Sequence, residues 1–370
     1  MNKVAIMTLN GNPNFGNKLQ NYAMQNILAK YGFEGETIIN TTNIPRSNKS
    51  TQQVFKEGDI NLKLKLIKTK LEVEFYKKRQ VERRKSFDIF NKKYIKEMPY
   101  SINVNNIPNK INDEYRYFIA GSDQVWNPNV PAVSQISFLS FAPIEKRLTY
   151  APSFGVSQIE DRYKKDYEKW LSGINNISVR EYSGAKIIKE LTNKEATVLV
   201  DPTMLLTKNE WLDIATVSKH KPKKNYLLTY FLGKESDETK AKIKEIAKQK
   251  NLEIVPLGNQ KFKKYYEANP SEFIDYINDA KVFITDSFHG CVFATILETP
   301  FIVCDRVGHS KKENMSSRID TFTKTFKLED RKFENIKDET IFNSDYKESM
   351  KKLELEKIKS NKYLEEILVK

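Results

Sequence analysis

The feature that most constrains the fold is an alternation of short apolar runs with segments of helical periodicity, which occurs twice along the chain. In the first half, VAIMTL precedes the helix-period segment KLQNYAMQNILAKYG, and YRYFIAGSDQVW, LTYAPSFG, NNISVRE and TVLVDPT are apolar runs followed by polar residues. In the second half, NYLLTYFLG, LEIVPLG, KVFITD and PFIVCD alternate with helical segments in the same way. Strands separated by helices are typical of parallel sheets, so the pattern predicts an α/β chain with two Rossmann-like domains.

The same pattern predicts the domain organisation. A polar, basic stretch at residues 217–225 separates the two series, so we expect an N-terminal domain over residues 1–217 and a C-terminal domain over 218–370. A charged, helix-favouring insertion at about residues 59–97 interrupts the first domain, and the tail from Tyr346 to Lys370 is also predicted to be helical. Two such domains facing each other form a GT-B-like architecture, with ligands at the carboxyl ends of the strands.

The composition is that of a soluble globular protein, with 39% hydrophobic and 30% charged residues among 370. No apolar run approaches the ~18 residues that a membrane span needs. The first strand-like run begins almost at the first residue, so we expect no secretory leader and a cytoplasmic location. Cys291 and Cys304 lie in apolar runs, which predicts buried, reduced thiols. The cysteines and histidines show no metal-ligand spacing, so we expect no metal site.

The net charge of +14 is compatible with nucleic acid, an anionic membrane or an anionic small substrate. No pattern typical of nucleic-acid binding accompanies it, so we expect no nucleic-acid partner. The charge is concentrated in residues 61–96, with thirteen lysines and arginines against four acidic residues. An apolar stripe of Leu62, Leu66, Ile67 and Leu71 beneath this charge predicts a peripheral membrane contact. The alternative is a solvated helix packed on its own domain.

The segment TDSFHG holds the candidate catalytic residue. A predicted strand ends at Asp286, and His289 opens the next helix, with Ser287 and Gly290 in the same turn. A helix N-terminus gathers unpaired N–H groups and partial positive charge, so this turn suits an anion. An imidazole titrates near neutral pH and suits acid–base work. The alternative is a capped helix with a structural histidine; the other two histidines lie in polar segments, which favours His289 as the catalytic candidate.

Three arginines are candidates for an anion site. Arg180 follows the predicted strand of NNISVRE, and its guanidinium offers a bidentate fork to phosphate or carboxylate. The alternative for Arg180 is an ion pair with a neighbouring carboxylate. Arg306 follows the strand of FIVCD, and Arg318 lies in MSSRID. For both of these a surface role is at least as compatible with the sequence.

The loop GNPNFGNKLQNYAMQ connects the first strand to the first helix. Gly11 and Gly16 permit backbone conformations that other residues resist, and we expect Asn17 and Gln20 to face a ligand. The loop is neither a dinucleotide fingerprint nor a P-loop, since it lacks the ribose-binding acid and a GK[ST] sequence. A plain turn followed by a helix cap is the alternative.

The turn AGSDQVWNP is the candidate sugar site. Asp123, Gln124 and Asn127 supply carboxylate and amide partners for hydroxyl groups, and Trp126 offers an indole for the C–H face of a sugar ring. The alternative is a structural turn.

Together these segments resemble the polysaccharide pyruvyltransferase family. The matching pieces are GNPNFGNKLQNYAMQ, FIAGSDQVWNP, LTYAPSFG, ISVRE, VDPTMLL and VFITDSFHGCVFATILETPFIV, in order from residue 4 to about residue 305. The resemblance implies a GT-B-like transferase that moves the enolpyruvyl carbons of phosphoenolpyruvate to two sugar hydroxyls as a pyruvate ketal, releasing phosphate. It implies no obligatory metal or other cofactor, and an acceptor that is a lipid-linked oligosaccharide of surface-polysaccharide assembly.

The resemblance also implies roles for single residues. His289 corresponds to the family's catalytic acid/base, and Arg180 to a donor-binding residue. Many members have an arginine two residues before the histidine, where this chain has Ser287. We therefore expect a basic residue elsewhere, Arg306 or Arg318, to supply that phosphate contact, and we group Ser287 and Gly290 with the donor-binding residues.

Two other functions are compatible with the sequence. A GT-B glycosyltransferase that uses a nucleotide sugar would share the fold and a basic donor site. A non-catalytic carbohydrate-binding protein would share the acceptor residues. Heat protection by a nucleotide rather than by phosphoenolpyruvate would favour the first alternative. Loss of product formation on replacing His289, with the fold retained, would count against the second.

Overall fold

The computed structural model describes residues 2–11, 13–44, 60–306 and 316–369. The strands in these ranges are β1 Lys3–Met7, β2 Glu34–Asn40, β3 Glu97–Ile102, β4 Tyr117–Ala120, β5 Arg147–Thr149, β6 Ser178–Val179, β7 Thr197–Val198, β8 Tyr226–Tyr230, β9 Glu253–Pro256, β10 Val282–Thr285 and β11 Phe301–Val303. The helices are α1 Phe15–Lys30, α2 Ile60–Tyr94, α3 Ile111–Glu114, α4 Asp161–Ser172, α5 Tyr182–Thr192, α6 Lys208–Leu212, α7 Asp237–Gln249, α8 Lys263–Tyr266, α9 Pro270–Asn278, α10 Phe288–Leu297, α11 Ser316–Phe326 and α12 Lys347–Leu368.

Two parallel sheets organise these elements. The first has the order β3-β2-β1-β4-β5, and the second has the order β11-β10-β8-β9. In the first sheet the strand order reverses between β1 and β4, and in the second between β8 and β10. Each reversal opens a crevice at the carboxyl ends of the strands, which is where open α/β sheets bind ligands. The α/β class and the GT-B-like pair of Rossmann-like sheets predicted from the sequence are confirmed.

A short parallel pair, β6 with β7, extends the first domain beyond β5. The backbone N–H of Arg180, just after β6, donates to the carbonyl of Pro152 over 3.1 Å, so β6 lies beside the segment that follows β5. The next strand, β7, ends shortly before Asp201. This extension therefore places Arg180 and Asp201 at the same carboxyl edge as the end of β4.

An aromatic cluster joins the two sheets. Phe15, the first residue of α1, stacks on Phe273 of α9 with ring centroids 4.5 Å apart. Tyr230, the last residue of β8, meets the edge of Phe15 at 5.3 Å. These rings belong to one buried core whose residues come from both halves of the chain. A large apolar interface of this kind restrains movement of one domain against the other.

The insertion and the tail are helical, as the sequence predicts. The helix α2 fills most of the predicted insertion, and α12 forms the tail. The division at residue 217 falls between α6 and β8 and stays a prediction. By chain order α12 belongs to the second domain, yet its Tyr363 hydroxyl lies 3.1 Å from the Thr149 hydroxyl of β5. The tail therefore ties the second half of the chain to the first.

The remaining sequence expectations concern cysteines and membrane spans. Cys291 and Cys304 are buried and unpaired, as predicted. Burial raises the pKa of the Cys304 thiol to about 12. Across the four described ranges, no helix is both long and apolar enough to span a bilayer.

Candidate active site

His289 lies at the start of α10, immediately after β10. Ser287 is the N-cap of this helix, and its hydroxyl accepts a hydrogen bond from the Gly290 N–H over 3.2 Å. This cap fixes the first helical turn, so that the imidazole of His289 is held at the carboxyl edge of the second sheet, with only 7% of the residue exposed. Because the Gly290 N–H donates to this cap, it is not available to bind an anion.

The ring of His289 packs against α1 of the first domain at Gly16. A Cβ atom added at Gly16 would overlap the imidazole, with Nδ1 as the nearest atom. Gly16 is helical, and neither it nor Gly11 has a positive φ. The expectation that these glycines supply unusual backbone conformations is therefore wrong. Gly16 is required because a side chain there would displace His289.

The carboxylate of Asp201 faces His289 from the other domain. Its Oδ2 lies 3.3 Å from His289 Nε2 and accepts a hydrogen bond from the Ser122 hydroxyl over 2.8 Å. Its Oδ1 accepts from the Thr203 hydroxyl over 2.8 Å. Burial alone would raise the pKa of Asp201, but His289, Arg180 and the Thr203 N–H hold it well below its usual range. Asp201 is therefore a fixed negative charge beside the imidazole.

Arg180 is also a partner of Asp201. Its Nη1 donates to Asp201 Oδ2 over 2.7 Å, while its Nη2 lies 3.6 Å from Asp123 Oδ1. The guanidinium is buried and its carbon lies 4.5 Å from the ring centroid of Phe288. In the described part of the chain, Nε and Nη2 have no hydrogen-bond acceptor. Buried N–H groups of a cation without acceptors are costly, so they mark a place for an anion.

Arg318 of α11 reaches the same ring from another direction. Its guanidinium carbon lies 5.9 Å from the Phe288 centroid, and its Nε has no hydrogen-bond acceptor among residues 2–11, 13–44, 60–306 and 316–369. Burial first, and repulsion from Arg180 second, lower the pKa of Arg318 to about 10. At neutral pH Arg318 is still protonated, so two buried guanidinium cations flank Phe288.

A cavity lies beside this pair of cations. It is small, with a volume of about 30 Å³. Its walls include Arg180, Arg318, Phe288 and Asp201, together with residues of α11 and α12. The cavity therefore combines two cations with a fixed carboxylate. His289 is not among its lining residues and is linked to it through Asp201, whose Oδ2 lies 3.3 Å from His289 Nε2.

Arg306 has a different environment. Its Nε donates to Asp286 Oδ2 over 3.1 Å, and its Nη2 donates to the Asp286 carbonyl over 3.3 Å. The same carboxylate accepts the backbone N–H groups of Leu232 and Gly233, over 2.7 and 2.8 Å. Arg306 thus helps to hold the loop after β8, which favours Arg318 over Arg306 as the second anion-binding arginine.

Three of the residues predicted to bind the acceptor lie at the carboxyl edge of the first sheet. Asp123 accepts a hydrogen bond from the Gln124 N–H over 2.8 Å and lies beside Arg180. The side-chain Oε1 of Gln124 accepts from the side-chain Nδ2 of Asn127 over 2.6 Å. Asn127 in turn accepts from the Asn129 N–H over 2.9 Å. This polar turn lies next to the Arg180 site, and its role in sugar binding stays a prediction.

Two other predicted acceptor residues are structural in this conformation. Trp126 has no exposed surface, donates its indole N–H to the Ser137 carbonyl over 3.0 Å and stacks on Phe138. The expectation that its indole packs on a sugar is therefore wrong. Gln20 is also fully buried, and its amide donates to the Thr8 hydroxyl over 2.6 Å, so it does not face a ligand. Asn17 differs from these two: it lies in the first turn of α1 and is 9% exposed, about as much as Asn127, so its role in sugar binding stays a prediction.

Sequence reasoning missed Asp201 and Phe288. Asp201 follows the β-branched run TVLV, and a carboxylate at the end of a parallel strand is the same signal that pointed to Asp286. Phe288 precedes the candidate histidine, but nothing in the sequence indicates that two arginines would share its ring. In the described ranges, no group of three histidine, cysteine or acidic residues is arranged to hold a metal ion.

Comparison with known proteins gives a decisive result. The family model described as polysaccharide pyruvyl transferase matches residues 14–306. The chain belongs to this family. It is therefore a transferase of polysaccharide modification, and the resemblance noted in its sequence is confirmed.

Other comparisons give only distant likenesses. No curated protein matches the chain. A glycosyltransferase from Rickettsia africae is 13% identical and has a TM-score of 0.47, with 99% of this chain and 98% of that chain covered. A UDP-GlcNAc 2-epimerase from Neisseria meningitidis, bound to UDP-GlcNAc, is 10% identical with a TM-score of 0.46, with 98% and 99% covered. Neither likeness is close enough to carry an argument about function.

Proposed function

We propose that the protein transfers the enolpyruvyl group of phosphoenolpyruvate to two hydroxyls of a sugar, forming a cyclic pyruvate ketal and releasing phosphate. The observation that carries the proposal is the pair of buried guanidiniums of Arg180 and Arg318. Among the described residues, no hydrogen-bond acceptor reaches Nε and Nη2 of Arg180 or Nε of Arg318. Family membership supports the pyruvyl chemistry. The sugar precursor and the donor are part of the proposal.

The donor has two anionic groups, a phosphate and a carboxylate, and the site has two buried cations to match them. Arg180 offers Nε and Nη2, which lie on one edge of its planar fork and suit bidentate binding of either group. Arg318 offers Nε, and its guanidinium carbon lies 5.9 Å from the centroid of the same Phe288 ring. Ser287 stands where many family members have an arginine, and Arg318 compensates for that missing charge.

His289 supplies acid–base catalysis in this proposal. Its proton goes to C3 of the enol, which leaves an oxocarbenium-like C2 for attack by the first sugar hydroxyl. Phosphate then leaves from C2, and the second hydroxyl closes the ketal. The two hydroxyl protons account for the one gained by C3 and the one carried away by phosphate. A positioned acid–base group of this type contributes ~10²–10⁴ in rate.

Asp201 positions the histidine. The carboxylate lies 3.3 Å from Nε2 and is held by Ser122 and Thr203, so it cannot turn away as the imidazole gains or loses a proton. The two residues come from different domains, so the acid assembles only when the domains are in contact.

The acceptor is proposed to be a lipid-linked oligosaccharide at the cytoplasmic face of the membrane. Asp123, Gln124 and Asn127 lie beside Arg180, where a sugar could approach C2 of the donor. These three side chains supply carboxylate and amide partners for hydroxyl groups. Trp126 and Gln20 are left out of this set because neither has any exposed surface and each donates its N–H to a neighbouring protein group.

The test is release of phosphate from phosphoenolpyruvate in the presence of a panel of lipid-linked and soluble glycosides. The expected result is release that depends on one class of glycoside, with a product heavier by one pyruvate ketal in mass spectrometry. Hydrolysis of a nucleotide sugar, with no phosphate released from phosphoenolpyruvate, would instead establish a glycosyltransferase.

A further inference from the structure

The insertion helix α2 has two halves with different surroundings. Its second half is anchored to the protein by Arg83, whose guanidinium lies 4.7 Å from the centroids of both Phe15 and Phe87. Arg83 also donates to the Pro13 carbonyl over 3.1 Å and to the Tyr266 carbonyl. This half therefore packs on the junction between the two sheets and forms a firm base for the rest of the helix.

The first half of α2 presents a stripe of exposed apolar side chains. The fractions exposed are 75% for Ile60, 58% for Leu64, 43% for Ile67, 67% for Leu71 and 76% for Phe75. At about 100° per residue, these positions fall within roughly 80° of one another around the helix axis. A contiguous exposed apolar face of this length marks an interaction surface.

Basic residues surround this apolar stripe. Between residues 60 and 79 the helix has seven lysines and arginines against two glutamates. At the same angle per residue, Lys68 lies about 60° to one side of the stripe's axis and Lys70 about 100° to the other, and Lys78 continues the stripe at its end. The face therefore combines an apolar centre with a cationic rim, which is the pattern of helices that lie in a membrane interface.

This combination favours lipid over a second copy of the chain. A coiled-coil seam would need an apolar residue every three and four positions, but Glu74 and Lys78 occupy the next seam positions after Leu71. Two copies would also bring their basic rims together. An anionic lipid surface, by contrast, attracts the rim and accepts the apolar stripe.

We propose that the first half of α2 docks the protein on an anionic lipid surface through Ile60, Leu64, Ile67, Leu71 and Phe75. Of the stripe predicted from the sequence, Ile67 and Leu71 belong to this face, and the side chains of Leu62 and Leu66 lie outside the described residues. The alternative of a helix packed on its own domain describes the second half, while Lys68 and Glu72 of the first half line a pocket with the loop after β8. The inference rests on the proposed function in one respect, since it brings the enzyme to a lipid-linked acceptor.

The test is flotation of the full chain with vesicles of phosphatidylcholine that contain about one third phosphatidylglycerol. The expected result is binding at low salt that fades as salt is raised, because screening shortens the reach of charge to ~8 Å at physiological ionic strength. Vesicles of phosphatidylcholine alone should bind much less. The double variant Leu71→Ser with Phe75→Ser should bind at least about tenfold less than the unchanged chain.

The matched control is Leu355→Ser with Ile358→Ser on α12, another lysine-rich helix, where the exposed fractions are 60% and 66%. This control should bind like the unchanged chain. Equal binding by the α2 double variant, or no vesicle binding at low salt, would overturn the proposal. So would a dimer in sedimentation that the α2 variant loses. Activity on a soluble glycoside should be the same in all variants, which separates failure of docking from failure of the proposed reaction.

Discussion

Two aspartate–arginine pairs at the carboxyl edges of the two sheets look alike in sequence and differ in structure. In the second domain, the Asp286 carboxylate accepts hydrogen bonds from Arg306 and from two backbone N–H groups of the loop after β8. Asp201 and Arg180, in the first domain, are joined over 2.7 Å, but Nε and Nη2 of Arg180 have no hydrogen-bond acceptor in the part of the chain that the structure describes. Asp201 also faces His289 from the other domain.

The different hydrogen bonding of the two pairs indicates that one stabilises a loop and the other belongs to the functional site. A carboxylate whose neighbours satisfy it locally stabilises a loop, whereas a cation with unused buried donors costs stability unless a ligand completes it. Proteins keep such groups at functional sites. The Asp201–Arg180 pair is accordingly the one that we place in catalysis, and the variants below change one pair and use its counterpart as the control.

The largest effect is expected from His289→Gln, which removes the imidazole that faces Asp201. Turnover should fall by ~10²–10⁴, because the acid–base group is lost while the arginines remain. Circular dichroism should show a retained fold. A variant that keeps more than about a tenth of the turnover would show that His289 is not the acid.

The next effect is expected from Gly16→Ala, which pushes a methyl group into the His289 ring. Displacing a catalytic group by about 1 Å can cost ~10² in rate, so turnover should fall by that order. Gly11→Ala is the matched control, since no atom lies within 4 Å of an added Cβ there. Equal turnover in the two variants would mean that the fit of His289 against α1 does not matter for the reaction.

A smaller effect is expected from Arg180→Lys, compared with Arg306→Lys. Lysine keeps the charge but loses the fork, so the KM for phosphoenolpyruvate should rise at least about tenfold in Arg180→Lys. In Arg306→Lys it should change little, while the unfolding midpoint falls because the loop after β8 loses a contact. Initial-rate kinetics and thermal unfolding of both variants check this. The reverse pattern would assign the donor to the second domain's pair.

The smallest change in activity is expected from Arg318→Met. Burial holds the pKa of Arg318 at about 10, below its ordinary value, so at neutral pH the buried cation lowers the stability of the folded state. Methionine should therefore raise the unfolding midpoint of the ligand-free protein by a few degrees, while the KM for phosphoenolpyruvate rises several-fold. A lower midpoint together with an unchanged KM would make Arg318 a structural residue.

Much of the fold could be predicted from the sequence because its signals are local. The apolar runs before Asp286 and Arg180 and the helical periodicity of α2 each lie within one element, and the structure confirms them. The strands β2 and β3 were not predicted individually, since neither has a run as apolar as that of β1. Hydrophobic periodicity predicts the type of a secondary-structure element, but it does not predict which other elements it packs against.

The site was predictable only in part because it depends on contacts between domains. His289 and Arg180 could be found from their positions at strand ends, but the link between them through Asp201 joins residues far apart in the chain. Trp126 was misassigned because an aromatic residue in a polar turn suggests exposure, whereas its ring lies under the turn against Phe138. Gly16 was expected to supply an unusual backbone conformation. The structure shows that glycine is needed there because a side chain would overlap the ring of His289.

The central claim is that phosphoenolpyruvate binds the N–H groups that Arg180 leaves unused beside Asp201. Thermal unfolding with and without phosphoenolpyruvate tests this claim most directly. A ligand at about 100 times its Kd adds about 2.7 kcal/mol to the free energy of unfolding. The account predicts that phosphoenolpyruvate raises the unfolding midpoint of the unchanged chain and of Arg306→Lys, but raises that of Arg180→Lys far less. A midpoint raised by a UDP-sugar and not by phosphoenolpyruvate, or equal stabilisation of all three proteins, would contradict it.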